Sequence, residues 1–78
     1  MSQHEPEITS HRKDATIAVN RDGMPVGVVT DLGNRRFAMR LYTTECPWEA
    51  YAGVASSEAQ AITTVGLHGE TPAHMEDR

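Results

Sequence analysis

The residues with the most specific chemistry in this chain are three arginines and a tyrosine in close succession, Arg35, Arg36, Arg40 and Tyr42. Guanidinium groups bind phosphates and guanine edges in a forked geometry, and a phenol ring can stack on a base, so this set suits contact with DNA or RNA. A second set follows it: Glu45, Trp48, Glu49, Tyr51 and Glu58. Tryptophan and tyrosine concentrate binding energy at protein interfaces, and neighbouring carboxylates can occupy a partner surface built to receive phosphates.

Other chemistries find less material. The four histidines are His4 and His11 near the start and His68 and His74 near the end. None stands at a spacing that sets two ligands on one side of an ion, so no metal site is expected. The serines, Cys46 and the carboxylates have no partners at a recognisable catalytic spacing, and a core this small rarely offers a pocket that excludes water. The expectation is a protein that is not an enzyme and carries no cofactor. A single cysteine excludes an internal disulfide framework, and no apolar run is long enough for a signal peptide or a membrane span, which predicts a soluble, cytoplasmic protein.

Charge is unevenly distributed. The net formal charge is −4 over 78 residues. The stretch 15–44 is mildly basic, with Arg21, Arg35, Arg36 and Arg40 against Asp22 and Asp31. From residue 45 on, Arg78 alone opposes Glu45, Glu49, Glu58, Glu70, Glu76 and Asp77. A polyanion would therefore meet a basic central segment on a chain whose total charge repels it.

The elements that must position these residues follow from periodicity. Ala15, Ile17 and Val19 alternate with polar neighbours, as a half-buried strand requires. Asn20-Arg21-Asp22-Gly23 then has the chemistry of a tight hairpin. Met24 to Thr30 is a second strand, with Met24, Val26 and Val28 on one face and Pro25, Gly27 and Val29 on the other. Pro25, lacking an N–H, places the start of that strand at an edge or outside regular pairing. Asp31-Leu32-Gly33-Asn34 is a second turn signal. The third strand, Arg35 to Thr44, sets Phe37, Met39, Leu41 and Thr43 against Arg36, Ala38, Arg40 and Tyr42.

Glu45-Cys46-Pro47 breaks the pattern, and Trp48 to Ala55 reads as a fourth strand, with a short helix after Pro47 as the alternative. Ser57-Glu58-Ala59-Gln60 is a capping box that starts a helix, with Ala59, Ile62, Val65 and Gly66 as its inner stripe and Gly66 or Gly69 as its end. The predicted fold class is α+β, a three- to four-stranded antiparallel β-meander with one C-terminal helix packed on one face. The predicted organisation is one small domain over 15–69 between flexible tails, 1–14 and 70–78, because the tails hold too few apolar groups to offset their ordering entropy. A domain that small leaves both a monomer and a homodimer open, since self-association is one way to bury more surface.

The functional expectation is a non-catalytic protein-interaction or regulatory module with a protein partner. This class includes the small inhibitors, such as anti-CRISPR proteins, that phages and mobile elements encode. Its binding residues would be Trp48, Tyr51, Glu45, Glu49 and Glu58. The alternative is a nucleic-acid-binding module that reads DNA or RNA through Arg35, Arg36, Arg40 and Tyr42 on the arginine-bearing face of the sheet.

Overall fold

The computed structural model describes residues 5–43 and 50–71, the side chains of Ala50 and Tyr51 excepted. Five strands and one helix follow in order: β1 (Ile8–Lys13), β2 (Thr16–Arg21), β3 (Met24–Gly33), β4 (Arg36–Leu41), β5 (Ala50–Ala55) and α1 (Glu58–His68). The strands form one antiparallel sheet in the order β1-β2-β3-β4-β5, and α1 packs across one face of it. This is the predicted α+β meander with its C-terminal helix, widened by one strand.

The additional strand is β1, drawn from the stretch that hydropathy assigns to the N-terminal tail. Ile8 is its only apolar residue, so burial alone would not order it. It is held by a ladder of pairs from Ile8↔Arg21 to Lys13↔Thr16, by Ile8 seated against Gly66, and by Arg12 reaching Asp31 and Glu58. At the other end, the Glu70 N–H donates to the Tyr42 carbonyl at 2.9 Å and the Thr71 hydroxyl to the Pro25 carbonyl at 3.2 Å.

The turns use residues that tolerate a left-handed backbone. Asp14 (φ 57°) lies between β1 and β2, and Asp22 (54°) with Gly23 (84°) closes the next hairpin as expected. The third turn lies later than Asp31–Asn34. β3 continues to Gly33, and Asn34 and Arg35, at φ 54° and 59°, form the turn. The shift arises because Gly33, at φ 84°, absorbs a break in register, with its N–H bonded to Asp31 Oδ1 at 2.9 Å.

A second bulge decides which side chains face the helix. Val19 pairs with Gly27 but Asn20 pairs with Pro25, so Val26 is an extra residue in β3. Alternation reverses there, and Val26, Gly27 and Val29 all face the helix while Val28 faces away. The expected split, with Val26 and Val28 together, is thereby corrected. Pro25 fits this central strand because it flanks the bulge and need not donate to a regular ladder.

The main core lies between the sheet and the helix. Ile17, Val19, Val26, Val29, Ala61 and Val65 are completely buried between sheet and helix, with Met39 and Ala55 beside them and Ile8, Phe37, Leu41 and Ile62 at the margin. α1 starts at its predicted cap, where Ser57 Oγ accepts from the Gln60 N–H at 3.0 Å, and ends at Gly69. Its inner stripe is Ala61, Val65 and Gly66 rather than one that includes Ala59, which is exposed. Arg21 ties the helix end to the sheet, its Nη1 donating to the Gly66 carbonyl at 2.7 Å and the Leu67 carbonyl at 3.2 Å.

Candidate nucleic-acid interface

The helix covers one face of the sheet; on the other, Thr16, Ala18, Arg36 and Arg40 are exposed, Val28 and Thr30 are half-buried and Ala38 is buried. The composition of that face follows from register. Because Ile17 and Val19 point into the core, Thr16, Ala18 and Asn20 point outward from β2. Ile8 meets Gly66 and Arg12 meets Glu58 on the helix side, so Thr9, His11 and Lys13 face outward from β1. Met39 is in the core with Phe37 and Leu41 beside it, which turns Arg36, Ala38 and Arg40 outward from β4.

Cross-strand pairing arranges these side chains in rows. One row runs Lys13, Thr16, Thr30, Ala38 and Val54. Next to it, His11, Ala18, Val28 and Arg40 are paired in succession, with the backbone of Tyr51 opposite Arg40. Arg36 lies opposite Gly33 at the start of β4. His11, Lys13, Arg36 and Arg40 are exposed, and no acidic residue occupies an outward strand position on β1 to β4. Between the two basic strands the surface is the hydroxyl and methyl groups of Thr16, Ala18, Val28 and Thr30 with the amide of Asn20, without a pocket among the described residues.

The opposite side of the molecule carries the ion pairs of Arg12. Arg12 Nη2 bonds Asp31 Oδ2 at 2.6 Å, Arg12 Nη1 approaches Glu58 Oε1 at 3.3 Å, and Arg12 Nε donates to the Asp14 carbonyl at 2.9 Å. The hydrogen bond from Arg12, then that from the Gly33 N–H, holds the Asp31 carboxyl below its ordinary range, and the bond to Asp31 raises Arg12 in turn. Asp31 is thus the one carboxylate in β3, and it is matched on the helix side. No group of three or more His, Cys, Asp or Glu that could hold a metal ion occurs among the described residues.

The structure brings together part of the basic set, while most of the acidic and aromatic set lies outside the described residues. Arg36 and Arg40 share the outward face as expected, whereas Arg35 is in the adjoining turn. Tyr42 lies past the end of β4 and is half-buried, its N–H bonded to the Val26 carbonyl at 3.0 Å and its own carbonyl to Glu70. Of the acidic and aromatic set, Glu45, Trp48 and Glu49 lie outside the described residues, as does the side chain of Tyr51. Glu58 is described, and it is paired with Arg12 on the helix side.

His11 and Lys13 were missed by sequence reasoning, because their strand has no apolar alternation to reveal it. The available signal was the polar run Thr9, His11 and Lys13 at every second position before the Asp14 turn. Among the described residues, no helix is long and apolar enough to cross a membrane. Comparison of the chain with protein-family models, with curated proteins and with solved structures gives no match.

Proposed function

We propose that this chain is a non-catalytic, cytoplasmic module that binds nucleic acid through the helix-free face of its sheet. The observation that carries this reading is the exposure of Lys13, Arg36 and Arg40, with His11 beside them, on the helix-free face, where no carboxylate stands at an outward position of β1 to β4 among the described residues. Phosphate binding gains its affinity from several cations acting together, with release of condensed counterions, and a local basic face can do this on a chain of negative total charge. The reading as a protein-partner module draws no support from the described residues. Only Glu58 of its five residues has a described side chain, and Arg12 already engages it.

The test is fluorescence anisotropy with labelled DNA and RNA across a salt series, using the full chain. Wild type binds with an affinity that falls as salt rises. Arg36→Glu with Arg40→Glu abolishes binding, while Arg36→Lys with Arg40→Lys keeps most of it, since lysine still neutralises phosphate. Absence of binding by the wild type at low salt, or equal binding by the glutamate variant, would remove the proposal.

A further inference from the structure

Of the sheet's two edges, that of β1 is the more regular. β1 ends the strand order, and no strand lies beyond it among the described residues. Its ladder to β2 runs from Ile8 to Lys13 without a break in register, whereas each of the other three ladders contains one. The opposite edge strand, β5, carries Ala52 as an extra residue and Gly53 at φ 112°. Bulges and prolines are what keep an exposed edge from pairing, and β1 contains neither.

One hydrogen bond tells which backbone groups of that edge are open. The Asp22 N–H donates to the Glu7 carbonyl at 2.9 Å, so Glu7 and Asp22 form a hydrogen-bonded pair that continues the ladder between β1 and β2. Bonding alternates along an antiparallel ladder, so Thr9, His11 and Lys13 also direct their backbone groups to β2. The N–H and C=O groups of Ile8, Ser10 and Arg12 therefore point away from the sheet. Pro6, which has no N–H, and Asp14, at φ 57°, bound this run, and Ser10 is its midpoint.

We infer that this edge is the contact surface for a second copy of the chain, the two β1 strands pairing antiparallel about a two-fold axis at Ser10. In that register Ser10 pairs with Ser10 of the second copy, and Ile8 of each copy pairs with Arg12 of the other. Every outward backbone group of the strand is then bonded across the axis. The non-hydrogen-bonded pairs between them hold side chains closer together. They set Glu7 of each copy against Lys13 of the other on the helix-free side. The strand's charges are thus complementary to the same strand reversed, where edge charges ordinarily repel a neighbour. Arg12 brings no unopposed charge, since Asp31 and Glu58 of its own chain already engage it. The contact is isologous and closes on itself at two copies. The inference does not depend on the nucleic-acid reading, although the axis, perpendicular to the sheet, joins both helix-free faces into one surface.

The experiment is sedimentation equilibrium of the full-length protein, without nucleic acid, from micromolar to millimolar concentration. Wild type is expected to pass from monomer to dimer over this range, with no larger species. Ser10→Pro removes the N–H at the axis but spares the β2 ladder, to which Ser10 does not donate, and is expected to stay monomeric throughout. Glu7→Lys and Lys13→Glu each place like charges opposite one another in both cross-strand pairs, and each is expected to weaken the dimer about tenfold or more. In an equal mixture these two variants are complementary again, and the mixture is expected to dimerise as wild type does. Circular dichroism checks the fold of each variant; Glu7 and Lys13 are exposed, so the charge variants decide the matter if Ser10→Pro does not fold. A wild type that is monomeric at millimolar concentration, or folded Ser10→Pro that dimerises as wild type does, would overturn the edge contact. Equal dimerisation of the single charge variants and of their mixture would overturn the register.

Discussion

Val28 and Val29 are neighbours in sequence on opposite faces of the sheet, and substituting each by threonine measures which face is covered. Val29 is completely buried against the helix side, where a threonine hydroxyl would lie among Ile17, Met39 and Val65. An unsatisfied hydroxyl in such a place costs about 1–3 kcal/mol by protein mutational data. Val28 is only partly buried, between Ala18 and Arg40, and its hydroxyl would reach water. Threonine is as good a strand residue as valine, so Val28→Thr should change stability by no more than about 0.5 kcal/mol. For a chain of this size each kcal/mol moves the melting temperature by about 4–8 °C, so a cost of about 2 kcal/mol in Val29→Thr lowers it by roughly 8–16 °C. Val28→Thr should lower it by less than about 4 °C on the same scale. Thermal unfolding followed by circular dichroism, with urea titration as a second measure, separates the two. Equal losses, or a larger loss in Val28→Thr, would refute the face assignment and with it the placement of the basic surface.

Three further expectations concern the scaffold. Gly27→Ala would drive a methyl group into Val65 and the Arg40 carbonyl; overpacking of about 3 kcal/mol, less up to about 1 kcal/mol of unfolded-state entropy, leaves a loss of about 2 kcal/mol in a denaturant titration. Ser57→Ala removes the acceptor for the Gln60 N–H and should cost about 1 kcal/mol, with Ser57→Asp restoring most of it in the same titration. The Asp31 carboxyl is lowered chiefly by its hydrogen bond from Arg12, so its contribution is complete above the unfolded value near 3.9 and is lost as pH falls through the lower folded value. In melting curves taken across the acid range, Asp31→Asn should therefore flatten this part of the stability profile, and an unaltered profile would show that the pair contributes nothing.

Much of the scaffold is legible in local chemistry. The alternation of Phe37, Met39 and Leu41 with Arg36, Ala38 and Arg40 identifies both the strand and its two faces, because the register breaks on either side of it put their extra residues, Leu32 and Ala52, in β3 and β5 rather than in β4. Asp22-Gly23 and Ser57 specify their turn and cap by backbone tolerance and hydrogen-bonding capacity, both properties of the residues themselves. Legibility fails where long-range pairing decides. The bulge at Val26 reverses the faces of β3 without any mark in the residue types, and an arginine at φ 59° in the third turn is not a residue from which a left-handed turn would be read. Strand β1 is recruited by pairing to β2, by the Ile8 contact and by the Arg12 ion pairs, all of which depend on residues distant in sequence.

The same division applies to the site. Arg36 and Arg40 could be assigned to a shared outward face from alternation alone. Lys13 and His11 could not, since their place opposite Thr16 and Ala18 exists only once β1 has joined the sheet. Total charge also does not describe the helix-free face. Four of the carboxylates that make it negative, Glu45, Glu49, Glu76 and Asp77, lie outside the described residues, and Asp31 and Glu58 are paired with Arg12 on the helix side.

The most direct test of the central claim is a titration of methyl-labelled full-length protein with a short DNA duplex, followed by nuclear magnetic resonance. The methyl groups of Ala18, Val28 and Thr30 should shift progressively with added duplex, while those of Val29, Ala61 and Val65 in the core keep their positions. Shifts confined to the helix side, or no shift at any methyl under low salt, would contradict a nucleic-acid interface on the helix-free face.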